Sequence, residues 1–158
     1  MSASFTPTST AFEITSTAFA NGDAIPSRFT CDGAGQSPPL AWHGTPEGTR
    51  AFALLVTDPD ARGFVHWVAT DIPASTAGLA EGASGSGSAG REGRNDFGRT
   101  GWGGPCPPSG THRYVFELFA LSAPLVLPGV PSAAAVRAAI RQRLLGEARL
   151  TGTYQRGA

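Results

Sequence analysis

The sequence contains no lysine. All twelve basic residues are arginine, a choice read as genomic base composition, and twelve acids balance them to a formal net charge of zero. Such a chain has no field to steer it onto nucleic acid or an anionic membrane, so nucleic acid is not an expected partner. Long apolar runs are also missing: no window approaches the ~18 residues of a membrane span, which excludes integral membrane association through a helix. The polar start, Met1–Thr10, lacks the charged head and apolar centre of a secretory signal, and the expected address is cytoplasmic. Cysteine is scarce. Cys31 and Cys106 are too few for a disulfide scaffold, and without a secretory signal the expectation is two free thiols.

What is present suits a folded domain with a sizeable core: 158 residues, 41% of them hydrophobic and only 15% charged. Residues 1–11 are Ser/Thr-rich and read as a flexible N-terminal tail, leaving 12–158 as a single domain. β-formers within Phe12–Phe19, at Arg28–Thr30 and at Leu40–Trp42 predict short strands, and longer ones follow at Arg50–Thr57 and His66–Ile72. Residues 82–110 hold ten of the 21 glycines and read as a long surface loop with little to fill a core; its first part, Glu81–Gly90, is expected to be mobile. His112–Leu121 is the strongest strand. Tyr114, Phe116, Leu118 and Ala120 face one way, Val115, Phe119 and Leu121 the other, as expected between two packed layers, with Glu117 interrupting. Ser132 caps a helix to about Leu145, with Val136, Ile140 and Leu144 as its apolar stripe and Gly146 as its stop, and Arg149–Tyr154 closes as a last strand. One helix among about seven strands predicts a mostly β fold: a β-sandwich of antiparallel sheets with a peripheral C-terminal α-helix and long loops.

The stretch most in need of explanation is Thr57–Trp67, which sets Asp58, Asp60 and His66 between two apolar runs. Pro59 has no N–H and fixes its own φ, so the ladder stops there and the chain turns. Acids at the lip of a core strand are costly unless something pairs with them. His112 and Tyr114 are two apart on a strand and share a face, as Asp58 and Asp60 do if their segment is extended. The economical arrangement gathers Asp58, Asp60, His66, His112 and the Gly101–Gly110 loop at one edge of the sandwich. The alternative is that His66 and His112 are ordinary strand histidines and Asp58 merely starts a turn.

Several patterns lead nowhere. Gly85–Gly90 satisfies Gly-x-Gly-x-x-Gly, but no strand enters and no helix follows. Asp58-x-Asp60 imitates a calcium loop until Arg62 and Ala69 occupy ligand positions. No Gly-x-Ser-x-Gly elbow exists, so a hydrolase using the Asp/His pocket ranks last among the functions considered.

Asp-Pro-Asp-Ala at 58–61, His-Trp-Val at 66–68, Asn-Asp-Phe-Gly at 95–98, Gly-Pro-Cys-Pro-Pro-Ser-Gly at 104–110 and His-Arg-Tyr at 112–114 together carry a resemblance. In this order they resemble the phosphatidylethanolamine-binding protein family, which includes Raf kinase inhibitor protein. Thr30-Cys31-Asp32-Gly33 and Ser37-Pro38-Pro39-Leu40 are similar to its bacterial branch. The resemblance implies an anion-binding pocket at one end of a sandwich, on Asp58, Asp60, His66 and His112 and the backbone around Cys106 and Pro107. Arg62, Trp102, Gly104 and Tyr114 are assigned to its rim. Arg62 stands where the family usually has proline; its guanidinium either folds over the pocket mouth or points into water. The resemblance also places Cys31 and Cys106 near each other, within reach of a bridge under oxidation; the prolines flanking Cys106 and its shared surroundings with Cys31 favour a structural thiol there over a nucleophile.

Two carboxylates and two imidazoles could hold a divalent cation. Their separate strands, and a family pocket that needs no metal, point instead to a site without metal or cofactor. The expected function is non-catalytic binding of a small anion or phosphate ester, in which the aspartates pair with turn N–H groups and the histidines. The alternative is an interaction module that inhibits a kinase or protease. Expected partners are accordingly a small anion or phosphorylated small molecule, such a protein, and a second copy of the chain as a homodimer.

Overall fold

A computed structural model describes residues 11–156. The tail expected over residues 1–11 therefore lies, but for Ala11, outside the described residues. In chain order the strands are β1 (Glu13–Thr15), β2 (Leu40–His43), β3 (Ala51–Asp58), β4 (Phe64–Pro73), β5 (Gly78–Leu79), β6 (Arg91–Glu92) and β7 (Thr111–Leu121), followed by helix α1 (Ala133–Ile140) and β8 (Leu144–Gln155). They form two sheets, β1-β2-β5 and β6-β4-β3-β7-β8, and every ladder between named strands is antiparallel. The mostly β fold with one C-terminal helix is the expected one.

The central strands are apolar on both faces because both faces are covered. Phe52, Leu54, Val56, Trp67, Tyr114, Phe116 and Leu118 form the core that also takes in Ile14, Leu40 and Trp42 from the smaller sheet. Ala53, Leu55, Val68, Phe119 and Leu121 pack on the opposite side with Val136 and Ile140 of α1. The two-sided reading of β7 thus holds for Tyr114, Phe116, Leu118 and Ala120 on one face and Phe119 and Leu121 on the other, while Val115 is only half-buried and outside both clusters.

Three expectations fail. Arg28–Thr30 is not a strand: a 3₁₀ turn spans Ser27–Phe29, closed by Phe29 N–H to Pro26 O and Thr30 N–H to Ser27 O. Ser132 does cap α1, its hydroxyl accepting from the Ala135 N–H, but the helix ends at Ile140. The chain beyond is drawn into a ladder along the whole of β7, where Gly146 pairs with Ala120 and Leu144 lies exposed instead of completing the stripe. An open edge on a central strand costs more than a further turn of helix adds. The third concerns the glycine-rich loop, which does fill core: Ala83 and Ala89 are buried and Trp102 packs against the main cluster.

Glu92 anchors that loop. Its carboxylate accepts from Trp67 Nε1–H at 2.8 Å, Ser84 Oγ–H at 2.6 Å and Gly85 N–H at 2.6 Å, so the segment expected to be mobile is tied to the wall of the core. Glu92→Ala strands the indole N–H of a fully buried tryptophan and should lower unfolding free energy by about 2–4 kcal/mol. Urea denaturation checks this; a loss under about 1 kcal/mol would mean that water replaces the carboxylate.

Candidate functional site

The site forms where β3 hands over to β4. Asp58 closes β3, and Pro59–Ala61 make one 3₁₀ turn, into which the Asp58 carboxylate accepts the Asp60 N–H at 2.8 Å. The turn is completed by two left-handed residues, Arg62 at φ 58° and Gly63 at φ 77°. Proline, held near φ −65°, has no access to this conformation, so the proline usual in the family pattern is incompatible with the turn built here.

A β-bulge then sets His66. Val56 pairs with Trp67 but Thr57 pairs with Val65, leaving His66 as the extra residue in β4. Strict alternation would turn it away from the side Trp67 faces; instead its ring stands edge-on to Tyr114, 5.1 Å between centroids, while Val65 packs on the helix side of the sheet.

These elements enclose a cavity of about 160 Å³. Of the expected site residues, Asp58, His66, Cys106, Pro107, His112 and Tyr114 line it; Ala61, Phe64, Phe97 and Pro108 complete it. Asp60 does not line it. Because its segment turns instead of extending, its carboxylate points to β7, accepting from the Arg113 N–H (2.8 Å), Nε–H (3.0 Å) and an NH2 hydrogen (2.9 Å). This guanidinium holds the Asp60 carboxyl at about 2. Arg62 is exposed and off the lining, with no side-chain partner among the described residues. Trp102 faces inward, stacked on Phe116, its Nε1–H donating to Phe29 O at 3.1 Å. Gly104 lies behind the wall: a Cβ there would stand 2.5 Å from Phe29 O, so only glycine allows this backbone approach.

Two of the missed residues, Phe64 and Phe97, are aromatic. Phe97 stands over Phe64 and His66, at centroid distances of 4.8 and 5.4 Å. It is placed by Asn95, whose buried side chain accepts from the Phe97 and Arg99 N–H groups and donates to Gly101 O. The Asn-Asp-Phe-Gly run held this information as an Asx turn.

The two histidines are held differently. His112 Nδ1–H donates to Asp58 Oδ2 at 2.5 Å, the carboxylate partner expected for it. His66 has no carboxylate partner: its Nδ1–H donates to Gly103 O at 2.6 Å. Burial, above all, pushes the His66 pKa below the usual imidazole range, only partly opposed by Gly103 O, Asp58 and Asp96. Burial likewise raises the Tyr114 hydroxyl, which stays protonated. The Nε2 of each histidine and the Tyr114 hydroxyl have no protein partner among the described residues, and no buried polar side-chain atom there is left unbonded, so all three open on the cavity.

Cys31 and Cys106 are joined. The disulfide, with Cα atoms 5.4 Å apart, bears out their expected proximity and overturns the expectation of free thiols. Composition could not supply the decisive fact, that the two loops meet, with Cys31 N–H bonded to Pro105 O. Among the described residues, no three His, Cys, Asp or Glu side chains are grouped to hold a metal ion.

Residues 15–155 match the model of the phosphatidylethanolamine-binding protein family. The chain belongs to that family. Two phosphatidylethanolamine-binding protein structures resemble it closely. A Chlamydia trachomatis homologue matches with TM-score 0.88 and 33% identity, covering 94% of this chain and 100% of that one. Escherichia coli YbcL, described as a new member of the mammalian PEBP family, matches with TM-score 0.85 and 33% identity over 92% of this chain and 99% of its own. A UPF0098 protein of Methanothermobacter thermautotrophicus is 45% identical over 145 residues, 89% of this chain and 96% of that one. The Mycobacterium tuberculosis candidate lipoprotein LppC is 43% identical over 155 residues, 94% of this chain and 75% of its own. A bacterial branch of the phosphatidylethanolamine-binding protein family fits these relatives. In this chain no helix of the described residues is long and apolar enough to cross a membrane.

Proposed function

We propose that the cavity is a non-catalytic receptor for a small oxyanion of the phosphate-ester class. One observation carries this reading: Asp58 holds His112 by Nδ1, so the imidazolium form directs Nε2–H into a cavity beside the Tyr114 hydroxyl. The carboxylate that would repel an anion is occupied by Asp60 N–H and His112, and two neutral or charge-assisted donors face the ligand. Phe64, Phe97, Pro107 and Pro108 give the ester group an apolar wall, since the prolines offer no N–H. Among the described residues no Ser, Thr or free thiol lines the cavity, which supports binding over nucleophilic chemistry. The disulfide, with the lipoprotein name of one relative, favours an oxidising compartment over the cytoplasm.

Calorimetric titration with inorganic phosphate tests the reading. Losing one charge-assisted donor in His112→Ala should weaken binding at least about tenfold. An undiminished affinity in that variant would overturn the assignment.

A further inference from the structure

We infer that His66 makes the pocket selective for an oxyanion that brings its own O–H, so that phosphate is accepted and sulfate refused. The inference rests on the oxyanion reading above and adds the feature of the ligand that is recognised.

The tautomer of His66 is set by its partner. A carbonyl oxygen only accepts, so at 2.6 Å from Gly103 O the Nδ1 atom must carry the hydrogen. The neutral ring then has a lone pair on Nε2, and that atom opens on the cavity with no protein donor to meet it. Everything else packed against the ring leaves that lone pair in place. The Phe64 and Phe97 rings have no polar hydrogen. The Asp58 carboxylate lies across from it on β3, His112 and Tyr114 on β7, and Asp96 on the loop behind. Asp96 is engaged by Val65 N–H and Asp58 by Asp60 N–H and His112. Burial, which holds His66 neutral, keeps the lone pair available near neutral pH.

An oxyanion entering this cavity therefore meets a donor on one side, the Tyr114 hydroxyl beside His112, and an acceptor on the other. A phosphate with one remaining P–OH satisfies both. A fully ionised tetrahedral anion places an oxygen lone pair against that of Nε2. A site built to bond a ligand O–H discriminates strongly against the analogue lacking it, because the buried acceptor is left unpaired. His66 is then the specificity-determining residue, while His112 supplies attraction.

Inorganic phosphate and sulfate, titrated calorimetrically into the intact protein at about pH 8, provide the cleanest comparison. At that pH both ions are mainly dianions of one tetrahedral shape, differing by a single O–H. Phosphate should bind at least about tenfold more tightly, a margin well below what hydrogen-bond selection achieves in closed sites. His66→Asn keeps a donor for Gly103 O but removes Nε2, and should bring the two affinities within about twofold. Methyl phosphate supplies an arm that needs no variant: relative to inorganic phosphate its affinity should fall as pH rises from about 5 to about 8, because it alone loses its last O–H. Equal binding of sulfate and phosphate by the wild-type protein would overturn the inference and leave the oxyanion reading standing. Failure of phosphate to bind the wild-type protein at any pH would overturn both.

Discussion

Replacing Cys31 and Cys106 with serine is expected to lower the free energy of unfolding by about 4 kcal/mol. The bond closes a loop of 75 residues, and the chain-entropy relation assigns a loop of that size about 4.5 kcal/mol of destabilised unfolded state. The native contacts it protects, including Cys31 N–H to Pro105 O, are too few to contribute as much. The effect is therefore expected mainly in the unfolded chain, and the double variant should keep the native fold while unfolding at lower urea. Denaturation of the oxidised wild type, the reduced wild type and the double variant decides it. The last two should coincide, and both should fall short of the first by that amount. A difference below about 1 kcal/mol would mean that the unfolded chain is already held compact without the bond.

The second large effect is expected at Glu117. This carboxylate interrupts the apolar outer face of β7, and its side chain is 8% exposed. Arg137 of α1 reaches it at 2.7 Å, and Arg149, opposite it in the β7–β8 ladder, at 3.3 Å. Either arginine alone still neutralises the charge, so Arg137→Ala or Arg149→Ala should cost about 1 kcal/mol or less. Removing both leaves a buried, unpaired carboxylate and should cost about 3 kcal/mol, more than the sum of the singles. Adding Glu117→Leu to that double variant should recover most of the loss, since apolar replacement of a buried ionic group is often neutral or stabilising. Additive single effects, or no recovery by leucine, would show that Glu117 is solvated through the groove beside α1.

Much of this protein follows from its sequence because short-range rules were left to act. The alternation in His112–Leu121 survives into both cores, since a strand with partners on each side has no freedom to rotate. Ser132 caps its helix, and Pro59 ends its strand, because each acts on the backbone beside it. The membership of Asp58, His66, His112 and Tyr114 in one cavity was legible through spacing and motif order.

What only tertiary structure decided lies where distant segments compete for the same groups. Asp60 and Asp58 separate because Arg113, 53 residues away, claims one and His112 the other. Helix α1 stops at Ile140 because β7 offers the following residues a ladder. Ala83, Ala89 and Trp102 become core because Glu92 ties their loop down, and two lone cysteines become a disulfide because two loops meet. The sharpest case is His66. Its presence is written in the sequence, but its direction comes from one bulged residue in β4, and the position of its ring hydrogen from the Gly103 carbonyl that accepts it. Residue type sets what a side chain is able to donate or accept; its neighbours in space settle which of these it does.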